Sequence, residues 1–296
     1  MNNRKYYIDN LRSVTILLIF LFHILLMYSS GDRWYIRGQD LLIPSIFIQI
    51  CRIWVIQLLF AIAGISARYA LEKRSVGEFV KKRVNKLLLP LVFGVLLVVP
   101  VQPYIAGILH SGHAGYFDSF TKLTDLSGYD GGFTPAHLWF LLFLFIISMA
   151  YLPFLSCYKN KGKGTLGDKV PLILIILMGL IPCITQIEIL KIIAIDGKSI
   201  LEYSAYFLLG YFFLSNDNVL EKLDKHRFLL LGMTVIYTGL MELVLDGAFR
   251  EAASWLAILA VLGIGRQYLS FNGKITAYLS NRPSVYTFSI NRGLLL

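Results

Sequence analysis

Charge is what this 296-residue chain has least of. Only 16% of its residues are Asp, Glu, Lys or Arg, where a soluble domain carries about a quarter. With 56% hydrophobic residues and a mean hydropathy of +0.65, that shortage excludes an ordinary soluble enzyme and points to a polytopic membrane protein. Cysteine is scarce as well. Cys51, Cys157 and Cys183 fall within or at the ends of apolar segments and form no CxxC pair. A disulfide framework or zinc site is therefore not indicated, and the three read as small packing residues. No strand-like alternation competes with the apolar runs, so the expected fold is all-α. No small-x-small cleavage site precedes Gly31, and the first apolar run reads as a retained span rather than a removed signal peptide.

What the chain does have is a series of apolar stretches, at about 13–30, 44–70, 87–108, 137–157, 170–187, 200–215, 227–245 and 251–269. Each is long enough, or nearly so, to cross a bilayer. The stretch at 200–215 is short, and Pro182 interrupts the one at 170–187. A last apolar piece from Pro283 to Leu296 is too short to cross upright. The expectation is a polytopic helical bundle with about eight full transmembrane helices plus a truncated last segment, a single domain over 1–296.

The net charge of +10 reads as positive-inside topology, with no nucleic-acid partner implied. Cations crowd the N-terminus (Arg4, Lys5, Arg12) and the connection holding Lys73, Arg74, Lys81, Lys82, Arg83 and Lys86. They crowd the loops with Lys159, Lys161, Lys163 and Lys169, with Lys222, Lys225 and Arg227, and with Arg266, Lys274 and Arg282. The alternate loops hold far fewer: Arg33 and Arg37, Lys122, Lys191 and Lys198, and Arg250. The N-terminus is therefore expected in the cytoplasm of a multi-pass cell-membrane protein, with Trp34, Tyr35, Trp139 and Phe140 near the outer interface.

Arg12 and His23 are the costliest side chains in the first span. Eleven residues at 100° each end about 20° past three full turns, so both lie on one helical face, about 16 Å apart along the axis. Ionisable groups inside a membrane mark a functional site by default. An imidazole at that depth is expected neutral, and a neutral imidazole is a competent general base. The bland readings are a His bonded to a neighbouring helix and an Arg that snorkels to the interface.

In FVKKRVNKLLLP (Phe79 to Pro90), Arg83 and Lys86 stand three residues apart on one face, beside Lys82. Guanidinium and ammonium groups pair well with phosphate oxygens, although lipid phosphate contact alone would explain the cluster. HLWFLLFL (His137 to Leu144) opens the fourth span after a long glycine-rich loop carrying His113, Asp125 and Asp130, and long loops are often functional. Arg52 and Arg68 need partners, for which Glu188, Glu202 and Glu242 are available.

Together these pieces resemble the membrane acyltransferase 3 family. Asp9–Asn10–Leu11–Arg12 followed by His23 is similar to its R-x10-H signature, and the basic run ending at Pro90 to its RxxR-like pair before a proline-led helix. HLWFL and YFLLGYFF (Tyr206 to Phe213) also look like family segments, and the opening YYIDNLRS…FHILLMYSS is most similar to the glucan-modifying succinyltransferase branch. The resemblance implies transfer of an acetyl or succinyl group from an acyl-CoA to a hydroxyl, commonly on a sugar or cell-surface glycan. It implies no tightly bound cofactor and no metal; the acyl-CoA is a donor substrate. It makes His23 the base and Arg12 its catalytic partner near the donor. Arg83, Lys86 and Lys82 become donor-binding residues, and His137 and Trp139 acceptor-binding ones. The second Arg of the pair is Lys86 here, which keeps the charge and loses the bidentate fork.

Family members continue past a motif similar to Y-x-x-N/S-A-S-F-x-I-Y-x-x-H into further helices. This chain reads YLSNRPSVYTFSINRGLLL, and the motif likeness stops at Asn281; a shifted frame or truncated product is the expectation. A secondary transporter or flippase for a polar solute is the main alternative, since carriers also use intramembrane Arg and His. A scaffold without activity is a third.

Overall fold

A 32-residue helix, α2 (Leu42–Lys73), forms the axis of the computed structural model, and the segments Tyr6–Leu25, Ile200–Leu214 and Arg250–Tyr268 are laid against it. The structure describes residues 5–30, 38–101, 103–105, 108, 115–118, 135–158, 170–186, 194–195, 198–243 and 249–272. Helix α1 (Tyr6–Leu25) is extended by a tight turn, Leu26–Tyr28, and runs antiparallel to α2. Two hydrogen bonds fix their register: Arg12 Nη2 donates to Ser66 Oγ at 2.6 Å, and Ser30 N donates to Ser45 Oγ at 3.1 Å.

Helix α3 (Val76–Arg83) starts where Ser75 closes a capping box. Ser75 Oγ accepts from Glu78 N at 3.3 Å, and Glu78 Oε2 accepts from Ser75 N at 3.1 Å, so two otherwise orphaned amides are satisfied. The chain then widens into a π turn, Val84–Leu88, before α4 (Leu89–Leu97). Pro90 follows directly on the π turn within one unbroken helical run, and the wider turn makes room for a residue that has no N–H to donate.

Helices α5 (Trp139–Ala150) and α6 (Leu152–Tyr158) meet at a 56° bend. Two short helices follow, α7 (Leu172–Leu177) and α8 (Leu180–Ile184), then a two-residue hairpin, β1 (Ala194–Ile195) with β2 (Lys198–Ser199). Helix α9 (Ile200–Leu209) continues through a second π turn, Gly210–Leu214. Asn216 caps α10 (Asp217–Lys225), and α11 (Arg227–Leu243) and α12 (Arg250–Tyr268) complete the described fold.

The core lies where α9 and α12 meet α2. A Cβ on Gly64 would run into the Phe207 carbonyl, and one on Gly210 into that of Ala61, so the two backbones cross with nothing between them. Close approach through small residues replaces the hydrophobic driving force that helices lack in lipid. Around this crossing Phe60, Tyr206, Phe207, Tyr211 and Trp255 are fully buried. Trp255 Nε1 donates to the Ile175 carbonyl at 2.8 Å, tying α7 to α12. Leu17, Ile43, Phe93, Val235 and Ile236 are exposed, as befits faces turned to lipid.

The fold is mostly helical, as expected, apart from the small β1–β2 hairpin. Among the described residues, α1 with its extension and α2 are long and apolar enough to cross a membrane, and α5 with α6 makes a third if the bent pair is one span. The apolar helices at Leu172–Ile184, Ile200–Leu214 and Arg227–Met241 are shorter. The run at 170–187 breaks at Met178–Gly179 and not at Pro182, which lies inside α8. Gly179 faces Trp255, whose ring a Cβ there would meet at 2.7 Å.

Candidate functional site

The first half of α1 is buried and anchored on both sides. Asn10, only 3% exposed, donates from Nδ2 to the carbonyls of Leu269 at 2.7 Å and Phe271 at 2.8 Å, just past the end of α12. Leu11 packs against Gly265 of α12, where a Cβ would reach the Leu11 side chain. Arg12 points the other way. Its Nη2 bonds Ser66 on α2, and its Nη1 lies 3.5 Å from Asp9 Oδ1, a loose contact at the limit of ion pairing.

His23 stands at the far end of the same helix. The Arg12–Ser66 and Ser30–Ser45 bonds set it opposite the Ile53 to Val55 stretch of α2. Its Nδ1 lies 2.7 Å from the Ile19 carbonyl oxygen. A carbonyl only accepts, so Nδ1 carries the proton and, in the neutral ring, Nε2 carries the lone pair. The Phe22 ring meets the imidazole edge-on at 5.4 Å. Val14 and Leu21, both exposed, lie on the opposite side of α1, so the Arg12–His23 face turns away from the lipid-facing stripe.

The cations of α3 and the first π turn gather around Arg12. Arg83 stacks its guanidinium 5.0 Å from the buried Phe79 ring. Burial, and then the charge of Arg12, push the Arg83 guanidinium down to about 10. Lys86 is held below the usual lysine range by partial burial and then by Arg12, Lys82, Arg74 and Arg83. The cations on α1, at the end of α2, on α3 and on the π turn thus share one field. Asp9 lies at the edge of this field beside Arg12, and the field's net positive sign attracts a multiply charged anion. Arg74, one of the cations of the α2–α3 connection, joins this field from its place directly before the Ser75–Glu78 box.

Trp139 belongs to a different cluster. Its ring packs with Phe60 at 6.5 Å, Phe143 at 5.3 Å and Tyr203 at 5.1 Å, and the Lys198 ammonium sits 5.4 Å from its centroid. It is part of the packing among α2, α5 and α9 rather than a loose interfacial residue. The side chains of His137 and Glu242, and the whole of His113, Asp125, Asp130 and Glu188, lie outside the described residues.

Arg68, which the sequence alone leaves unpaired, has a carboxylate partner on its own helix. Its Nε donates to Glu72 Oε1 at 3.0 Å, one turn along α2, its Nη1 donates to the Tyr158 carbonyl at 3.1 Å, and Tyr211 stacks on it. Glu202 is instead bonded by Gln186 Nε2 at 2.8 Å and by Gln57. Ser66 is the residue the sequence does not single out, since it carries no signal beyond being a hydroxyl in an apolar run; Asn10 and Arg74 are visible there without the contacts they make.

No curated protein and no solved structure matches this chain. A family model described as an acyltransferase domain, that of acyltransferase 3, matches residues 5–290, extending past Asn281. That match takes in α1 with Arg12 and His23, the cation cluster and every described helix, so the chain belongs to the acyltransferase 3 family and is an acyltransferase.

Proposed function

We propose that this acyltransferase moves an acetyl or succinyl group from an acyl-CoA to a hydroxyl of a sugar or cell-surface glycan, in a multi-pass membrane bundle whose N-terminus is cytoplasmic. One observation carries the reading. Arg12, Arg83, Lys86, Lys82 and Arg74 converge at one end of the helix that presents His23 at the other. The nucleotide end of coenzyme A is a multiply charged phosphate anion, and Arg and Lys recognise such groups. The positive-inside pattern puts that end on the cytoplasmic side, where coenzyme A thioesters are found.

In this mechanism His23 Nε2 takes the proton from the acceptor hydroxyl as its oxygen bonds to the thioester carbonyl carbon. The C–S bond breaks, and the proton passes from the imidazole to the departing thiolate. The Nδ1–Ile19 bond keeps the ring in the tautomer that this step requires. Trp139, held in the packing among α2, α5 and α9 with the Lys198 ammonium over its ring, is the acceptor-side candidate, and the transferred group is acetyl or succinyl.

The test is coenzyme A release by the purified protein supplied with acetyl-CoA or succinyl-CoA and a glucan acceptor. Mass spectrometry of surface glycans with and without the gene would identify the transferred group. Solute uptake in proteoliposomes without any thioester cleavage would replace this reading with that of a carrier.

A further inference from the structure

We propose that Asn10 is a positioning residue for donor binding, which holds Arg12 in the cation cluster by clamping α1 to the chain that leaves α12. The inference rests on the donor-site reading above. Helix C-termini leave carbonyls without intrahelical donors. Asn10 answers this at the end of α12, with one amide nitrogen serving both Leu269 and Phe271. The amide is nearly fully buried, and an Asn offers two N–H donors where an ionised Asp offers none.

Asn10 and Arg12 are two positions apart, so their side chains leave α1 about 200° apart. One grips α12 while the other reaches Ser66 and the cations. Leu11 between them is fitted against Gly265. Helix α1 is thereby fixed in both rotation and depth. A side-chain tip 5–6 Å from a helix axis moves by about 2 Å when the helix turns by 20°. That displacement breaks a bond as short as the 2.6 Å contact between Arg12 and Ser66. His23 is thirteen positions further on, beyond the anchored half, and holds its own ring through Ile19.

The measurement is a double-mutant cycle on the purified full chain, reading donor KM and kcat for wild type, Asn10→Ala, Arg12→Lys and the double variant. Asn10→Ala is expected to raise donor KM about tenfold with kcat within about threefold, and to change KM less than about twofold when Arg12 is already Lys. Asn10→Ser, which keeps one donor, is expected to fall between wild type and Asn10→Ala and serves if the alanine variant does not fold. Equal factors in both backgrounds, or a fall in kcat with KM unchanged, would overturn the proposal. A wild-type chain that releases no coenzyme A overturns the donor reading and this inference together. An active wild type with an additive cycle removes this inference alone.

Discussion

The Arg12 guanidinium reaches from α1 to α2 and donates to the Ser66 hydroxyl at 2.6 Å, the shortest described link between the two helices. Hydrogen bonds to charged groups contribute about 1.5–3 kcal/mol. Ser66→Ala removes the acceptor and frees the guanidinium to swing toward Asp9. Donor KM is expected to rise about tenfold or more, while Ser66→Thr, which keeps the hydroxyl, stays within a few-fold of wild type. Initial rates of coenzyme A release against acyl-CoA concentration report both values.

His23→Ala tests the proposed base. Transfer is expected to drop about 10²–10⁴-fold, with membrane insertion and elution in detergent unchanged. Because Nδ1 is already committed to Ile19, the loss should appear in kcat rather than in donor KM. Normal glycan acylation by this variant would sink the base assignment.

The cation cluster predicts a pH dependence. Lys86 is depressed below its ordinary range by partial burial and by its cationic neighbours. A cation with a lowered pKa is charged below that pKa and loses its charge as pH rises through it. Donor KM should therefore begin to climb at a pH lower than an isolated lysine would give. Lys86→Arg should move that climb upward, because a guanidinium keeps its charge where an ammonium loses it. A donor KM that stays flat to strongly alkaline pH in the wild type would count against phosphate binding by these residues.

Helix crossing at Gly64 and Gly210 leaves no room for a side chain. Gly64→Val forces α2 and α9 apart, and overpacking of this kind costs about 1–3 kcal/mol. The expected outcome is a lower thermal transition in detergent and aggregation on mild heating, read by light scattering. Gly232→Ala is the control, because nothing lies within contact distance of its Cβ position.

The face shared by Arg12 and His23 was legible in the sequence because helical periodicity alone dictates it. Arg83 and Lys86 were legible for the same reason, at i and i+3. The pairing of Arg68 is equally available, since Glu72 lies one helical turn further along α2, whereas the candidates Glu188, Glu202 and Glu242 offer no spacing that would pair them. Asn10 was visible within its motif but not its task, because both carbonyls it serves lie about 260 residues away in the chain. The break at Gly179 was hidden behind the more conspicuous Pro182. A proline in the first turn of a short helix costs no bond, whereas Gly179 is where Trp255 demands space.

The length of α2 carries a consequence for the lipid around it. Thirty-two residues make a helix about 48 Å long, against a hydrocarbon layer of about 30 Å. Either the helix leans or it projects, and each response depends on bilayer thickness. Because Ser66 and Arg74 lie near one end of that helix, a thicker or thinner bilayer changes how far the charges gathered there stand from the headgroups. Under the proposed donor-site reading, acyl-chain length in the surrounding phospholipid would then be a control on donor access, set by the geometry of a single helix.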